Sequence, residues 1–243
     1  MAGEIRIEAG VVGWEVVISG EALVALRQWS PRPGEAVTVS AGGAWFRARV
    51  ISLEADRARL FLYEEMSAPP EPAAEILLLQ ALPEKERMEL IVEKTTELGV
   101  AVIVPWQAER GVTLAEREAL EKKSHRWPAR AMKAARQCRR GRIPEIAAVT
   151  DLAGALARAE GAEVKLALWE RAEELLTPEM LAEDFAARPG AVALLVGPEG
   201  GLTEEEAYII AAAGFRLVSL GSRILRTETA AIAAVALAQF NLK

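Results

Sequence analysis

The sequence predicts a two-part α/β protein: a small, mostly antiparallel β domain, then a larger domain whose mainly parallel sheet carries helices on both faces. Three observations lead there. Short strand-like runs crowd residues 4–63, apolar strands alternate with helical stretches after residue 75, and a Pro-rich segment, S-A-P-P-E-P-A-A at 67–74, lies between them. Such a segment is stiff and extended, so the parts are expected to span 1–68 and 75–243.

In the first part the runs are E-I-R-I-E, W-E-V-V-I-S, E-A-V-T-V-S, A-W-F-R-A-R-V-I-S-L and R-A-R-L-F-L-Y, separated by breaks containing Gly, Pro or Asp. Several alternate polar and apolar residues, as half-buried antiparallel strands do. Residues 21–29 read as a short helix stopped by Pro31 and Pro33. Together these predict a small β-barrel.

After the linker the expected order is strand 76–82, helix 85–98 stopped by Gly99, strand 100–104, a helical stretch over 114–138 and strand 164–168. Two strand-loop-helix units close the chain. Residues 191–196 form a short apolar, partly β-branched run that reads as a buried strand, and Thr203 with Glu206 three residues later makes a capping box. Residues 216–220 read as the next strand, with Thr227 or Thr229 capping an Ala-rich helix over 230–239. No internal repeat is present.

The loops of these two units, L-V-G-P-E-G-G-L-T (195–203) and L-G-S-R-I-L-R-T-E-T-A (220–230), are the most informative part of the chain. Gly197, Gly200 and Gly201 allow positive φ and carry no side chain, so a ligand can approach backbone groups. Adjacent loops at the carboxyl ends of parallel strands form a crevice, the usual ligand position in open α/β sheets.

Composition removes several chemistries. The chain has one cysteine, Cys138, and one histidine, His125. An internal disulfide and a Cys/His zinc site are therefore excluded, no metal site is expected, and a Ser-His-Asp triad would have to pass through His125. No apolar stretch approaches the roughly 18 residues that span a bilayer, and the N-terminus lacks the layout of a secretion signal. A soluble, cytoplasmic protein is expected, and 51% hydrophobic residues supply one large core and a small one.

A net charge of −6 argues against a nucleic-acid partner, but the distribution of that charge points the other way. Nine Lys or Arg and no Asp or Glu lie between Lys122 and Arg142. Arg126, Arg130, Lys133, Gln137 and Arg140 recur at helical spacing, with Pro128 tolerated at a helix start. This unmixed stripe, with Arg136, Arg139 and Arg142 beside it, is expected to contact an RNA backbone.

The two C-terminal loops together resemble the signature of the bacterial ribosomal RNA small-subunit methyltransferase E family, a branch of the knotted SPOUT methyltransferases. K-E-R-M-E-L-I-V-E-K-T-T-E-L-G-V (85–100) is similar to the segment opening that family's catalytic domain, and R-Q-C-R-R-G-R-I-P-E-I (136–146) to its E-Q-x-x-R-x-x-V-P-E-I element. The resemblance covers residues 79–239. It implies a trefoil-knotted C-terminal domain, a PUA-like RNA-binding barrel in front and a homodimer paired through the catalytic domains, for which the Ala-rich last helix suits close packing. The first part departs from the family: E-A-L-V-A-L-R (21–27) is the nearest equivalent of its H-x-x-x-V-L-R stretch.

The resemblance also implies S-adenosylmethionine as cofactor, with 16S ribosomal RNA of the small subunit as substrate and N3 of a uridine as the acceptor. Carried onto this sequence, the cofactor residues are Leu168, Val196, Gly197, Pro198, Gly201, Leu220, Gly221, Ser222, Ile224, Leu225 and Thr229. Uracil N3 must lose a proton before it attacks, so a cation beside the carbonyl oxygens helps. Arg226 is expected in that role, with Arg223 second, and either Glu199 or Glu228 as proton acceptor. A knotted methyltransferase of other specificity and a non-catalytic RNA-binding assembly factor are the alternatives.

Overall fold

The computed structural model describes residues 3–84, 87–116 and 126–242. His125, Lys122, Lys123 and the expected helix start at 85–86 lie outside them. The chain divides into two compact units, Met1–Glu71 with Met132–Pro144, and Pro72–Ala131 with Glu145–Lys243.

The first unit contains β1 (Ile5–Ile7), β2 (Glu15–Ile18), α1 (Gly20–Gln28), β3 (Ala36–Ala41), β4 (Ala44–Leu53) and β5 (Ala58–Glu65). They form one five-stranded sheet of order β1-β3-β4-β5-β2. Only the β1–β3 pair is parallel. Along β5, buried Ala58, Leu60 and Leu62 alternate with more exposed residues, the half-buried pattern read from the sequence. Two register shifts in the β4–β5 ladder, at Arg47/Ala48 and Val50/Ser52, add local twist of the kind that curls a small sheet. Ile5, Leu26, Val39, Phe46, Val50, Leu60 and Leu62 fill its core, joined by Ala135 from the distant segment.

One carboxylate organises that segment. Glu71 and Arg140 form an ion pair whose side chains are 6% and 5% exposed, with Arg140 Nε 3.1 Å and Nη2 2.5 Å from Glu71 Oε2. Glu71 Oε1 also accepts the backbone amides of Gly141 at 2.9 Å and Arg142 at 3.1 Å. Four donors thus surround an anion that would be costly if buried alone.

The second unit contains β6 (Glu75–Ala81), α2 (Arg87–Glu97), β7 (Val102–Trp106), β8 (Glu145–Ile146), β9 (Val164–Leu168), β10 (Ala191–Val196) and β11 (Arg216–Val218). Its other helices are α3 (Trp127–Gln137), α4 (Leu152–Arg158), α5 (Pro178–Ala186), α6 (Glu204–Ala212) and α7 (Thr227–Asn241). The last six residues of α3 group with the first unit. The six strands are all parallel, in the order β11-β9-β10-β6-β7-β8. β10 is buried from Val192 to Val196, the continuous apolar run of a strand covered on both faces.

Alternate residues of these strands enter two different cores. Ile76, Leu78, Val192, Leu194 and Val196 meet Met88, Ile91 and Val92 of α2, Leu181 and Phe185 of α5, and Ala231, Ala234, Val235 and Ala238 of α7. Leu79, Ala81, Ala193 and Leu195 meet Ala155 of α4 and Ile210 of α6 on the other side. Helices therefore cover both faces, as the alternation of elements predicts. Among the described residues no helix is long and apolar enough to cross a membrane, and no cluster of His, Cys, Asp and Glu is arranged to hold a metal.

The sequence reading missed α4, α5 and β8. It also placed a cap at Thr227 or Thr229, whereas α7 begins one residue after Arg226, which takes the N-cap position with no side-chain hydrogen bond. Pro128 is the second residue of α3, where its missing N–H has no intrahelical acceptor to lose.

Removing one member of a buried ion pair leaves the other uncompensated, at a cost of about 3–5 kcal/mol. Glu71→Ala is therefore expected to lower stability by about that amount in urea or thermal unfolding, whereas loss of a solvated contact would leave the midpoint within ~0.5 kcal/mol of wild type.

Candidate functional site

The carboxyl ends of β9, β10 and β11 open into a cleft of about 550 Å³. That volume lies within the range of small-molecule sites. β10 and β11 do not pair as neighbours; β9 runs between them, so Leu168 and Trp169 supply the wall between the two glycine loops. Trp169 is tied to β11 by its amide, 3.0 Å from the Val218 carbonyl, while its buried indole Nε1 has no protein acceptor among the described residues.

The first loop is pinned at both ends. Thr203 and Glu206 form the expected capping box: Thr203 Oγ1 accepts the Glu206 amide at 3.1 Å and Glu206 Oε2 accepts the Thr203 amide at 2.9 Å. The other oxygen of Glu206 takes the Glu109 amide at 2.8 Å, which fastens the segment after β7 to the same helix start. At the strand end, the buried Thr227 hydroxyl donates to the Gly197 carbonyl at 2.7 Å and accepts from Gln80 Nε2 at 3.0 Å. Gln80, fully buried at the end of β6, also donates to the Ala81 carbonyl at 2.9 Å, which fixes the orientation of its amide.

The glycines serve two purposes. A Cβ at Gly200 would lie 2.8 Å from the Arg110 carbonyl oxygen, and one at Gly201, whose φ is +71°, would lie 2.6 Å from a Glu170 carboxylate oxygen. Protein atoms fill those spaces, so these glycines permit close packing of the chain on itself. Gly221, at φ +113°, has open space where a side chain would begin. Backbone approach by a ligand is therefore available at the second loop.

Most of the expected cofactor residues come together. Leu168, Val196, Gly197, Pro198, Gly201, Leu220, Gly221, Ile224 and Leu225 line the cleft, with Arg223, Arg226 and Glu199. Ser222 and Thr229 are not part of that lining, and Glu228 is also outside it. Ile224 is 85% exposed, far more than a core residue would be. Sequence reasoning missed Glu84, Arg87 and Glu170, which also face the cleft. Arg87 Nη1 pairs with Glu199 Oε1, and its Nε lies 3.7 Å from Glu228 Oε2. Glu199, foremost, raises the Arg87 pKa. The cleft thus presents both signs of charge beside apolar walls, which suits a zwitterionic ligand carrying a flat heterocycle.

The basic stripe is largely neutralised within the protein. Arg130 pairs with Glu89 and Glu93, Arg136 with Glu35 at 2.8 Å, Arg140 with Glu71, and Arg142 with Glu4 at 2.9 Å. Burial opposes ionisation of Glu4, but hydrogen bonds from Arg6, Arg142 and Ser40 outweigh it and hold the carboxyl at about 2. Arg126, Lys133 and Arg139 have side chains without a carboxylate partner among the described residues. Arg47, absent from the sequence reading, joins them: its Nη1 donates to Thr38 Oγ1 and to the Arg139 carbonyl, and no carboxylate among the described residues lies within ion-pair distance of it. Burial and the neighbouring Arg139 charge lower its pKa.

This parallel-sheet fold with its cleft at the strand ends has counterparts among known proteins. Residues 69–239 match the family described as an RNA methyltransferase domain, which gives the class. The ribosomal RNA small subunit methyltransferase E of Mycobacterium bovis is 37% identical over 84% of this chain and 78% of its own. The Bacillus subtilis protein of the same name is 28% identical over 82% and 78%. Among solved structures, that methyltransferase from Neisseria gonorrhoeae, bound to S-adenosyl methionine, is 31% identical with a TM-score of 0.67, covering 99% of this chain and 98% of that one. A putative methyltransferase from Legionella pneumophila, also with its cofactor, is 33% identical with a TM-score of 0.65 over 97% of each chain. The chain belongs to the ribosomal RNA small subunit methyltransferase E family.

Thr227→Val keeps the shape of the side chain but removes the hydroxyl that serves Gly197 and Gln80. Buried groups left without partners cost about 1–3 kcal/mol. The variant is expected to unfold at correspondingly lower denaturant, a shift that equilibrium urea titration would read directly.

Proposed function

We propose that this protein is an S-adenosylmethionine-dependent methyltransferase acting on N3 of a uridine in 16S ribosomal RNA of the small subunit. The observation that carries the reading is the cleft at the ends of β9, β10 and β11, built from the residues expected to hold the methyl donor, in a chain whose relatives are named ribosomal RNA small subunit methyltransferases. The donor supplies a methyl group already activated on a sulfonium. Leu168, Val196, Leu220 and Leu225 offer apolar area for its adenine, and the backbone at Gly221 is open to its polar edge. The orphaned Trp169 indole N–H is a donor suited to a ligand oxygen or nitrogen.

The protein's own task is alignment and charge control. In-line transfer draws most of its rate from holding acceptor and methyl in register. Arg226 lines the cleft at the start of α7 and pairs with no carboxylate among the described residues, so its charge is available to the uracil carbonyl oxygens as N3 loses its proton.

RNA is held by three members of the basic stripe without an acidic partner among the described residues, Arg126, Lys133 and Arg139, together with Arg47. Arg130, Arg136, Arg140 and Arg142 act first as ties within their own units. The reading further includes the PUA-like barrel as the RNA-binding part at 1–68, the trefoil knot in the catalytic part at 75–243, a cytoplasmic homodimer and no membrane partner. The curled five-stranded sheet and the membership of the family support these.

Arg226→Ala is expected to lower kcat about 10²–10³-fold, the cost of losing one preorganised charge-stabilising donor, while the Kd for S-adenosylmethionine stays within about twofold. Equal loss in both, by calorimetry and single-turnover transfer, would remove Arg226 from the reacting base. Combined Arg47→Glu and Arg139→Glu should weaken RNA binding and lower its salt slope by about two, without changing donor affinity. An unaltered slope would mean that these arginines do not meet phosphate.

A further inference from the structure

The charges around the cleft separate two carboxylates that the sequence left equivalent. We infer that Glu199 accepts the N3 proton of the uracil and that Arg87 is the positioning residue that holds it oriented, with Glu228 acting only through Arg87. The inference rests on the function proposed above and assigns the acid–base roles within that site.

Geometry distinguishes the candidates. Glu199 lines the cleft, whereas Glu228 does not. One oxygen of Glu199, Oε1, accepts the Glu84 amide at 2.9 Å and the Arg87 guanidinium. Its other oxygen makes no hydrogen bond among the described residues, which leaves a lone pair for a substrate N–H. The Glu228 side chain is 13% exposed; its buried Oε2 has no hydrogen bond among the described residues and faces Arg87 Nε at 3.7 Å. A general base has to come within hydrogen-bond reach of the proton it removes. Glu199 meets that requirement from the cleft wall, and Glu228 is a fixed anion that steadies the guanidinium.

Arg87 therefore sits between two carboxylates, one facing substrate and one buried. Shared in this way, it orients Glu199 through Oε1 without occupying the other oxygen. The other charged groups around Glu199 are Glu84, Arg110 against Gly200, Glu170 against Gly201, and Arg223 and Arg226 on the facing loop. In the step itself the N3 proton passes to the free Glu199 oxygen, the electron pair left on N3 forms the new N–C bond, and the pair of the broken C–S bond returns to sulfur. Glu199 then releases the proton to water, so no further reactant is needed.

The test uses the full-length protein, S-adenosylmethionine and small ribosomal subunits from cells lacking this protein. Transfer is followed across pH, with donor Kd by calorimetry and thermal melting for every variant. Glu199→Gln should lower kcat about 10²–10⁴-fold with donor Kd and melting unchanged, and Glu199→Asp should recover part of it. Arg87→Ala should lower kcat about tenfold with donor Kd and melting unchanged, because Glu199 loses the partner that orients it, and Arg87→Lys should recover part of that loss. Glu228→Gln should lower kcat less than Arg87→Ala, because it loosens the guanidinium without removing it. A loss confined to kcat and restored by Lys is not expected of a residue that only supports the fold. A wild-type rate in Glu199→Gln, loss of transfer in Glu228→Gln instead, or a wild-type kcat in Arg87→Ala would each overturn the assignment. If the wild-type protein forms no N3-methyluridine, the functional reading fails; if it does and Glu199→Gln is as fast, only this inference fails.

Discussion

The buried hydrogen bonds from Gln80 through Thr227 to the Gly197 carbonyl are the constraint on which the cleft depends. They join the end of β6, the first turn of α7 and the end of β10, three elements far apart in sequence. A hydrogen bond in a buried, low-dielectric setting is stronger than one in water. These bonds thus set the glycine loop against the helix that carries Arg226 and Glu228. The capping box at Thr203 and Glu206, extended to the Glu109 amide, fixes the other end of the same loop. A loop held in this way contributes preorganised backbone groups rather than a flexible flap.

Charge is distributed by the same logic. Cations that would otherwise repel one another are placed beside carboxylates at several points of the chain, while others among the described ones have no carboxylate within ion-pair distance. Three places are informative. Arg226 has no carboxylate partner among the described residues and stands at a helix start inside the cleft, Arg87 is divided between two acids, and Arg47 has its pKa lowered first by burial and then by the neighbouring Arg139 charge. Like charges held close without acids are stable only while solvent or an anion compensates them. An acidic protein can in this way retain localised affinity for a polyanion.

Much of this was legible from residue order. The strands at 164–168 and 191–196 and the Thr203 cap appear as read, because each is specified by local chemistry: a short, mostly apolar run, or a hydroxyl and a carboxylate three residues apart. The cleft was legible through its glycines, although their purposes differ, since only the structure shows Arg110 and Glu170 filling the space beside Gly200 and Gly201. Short α4 escaped notice because seven residues give too few turns for a clear period. The fate of the basic stripe was not legible at all. Its spacing marks one helix face, but Glu35, Glu71 and Glu4 reach it from 101, 69 and 138 residues away. Arg87 was overlooked for the same reason, its partner Glu199 lying 112 residues on.

The return of Met132–Pro144 to the first unit has a bearing on how this chain can be dissected. A fragment ending at Glu71 would retain the acid that Arg140, Gly141 and Arg142 surround, stripped of all of its donors and of Ala135 from its core. The front part is accordingly no transplantable cassette. Chimeras between relatives would need to exchange both stretches together, and translation cannot complete the first unit until more than half of the polypeptide has been made.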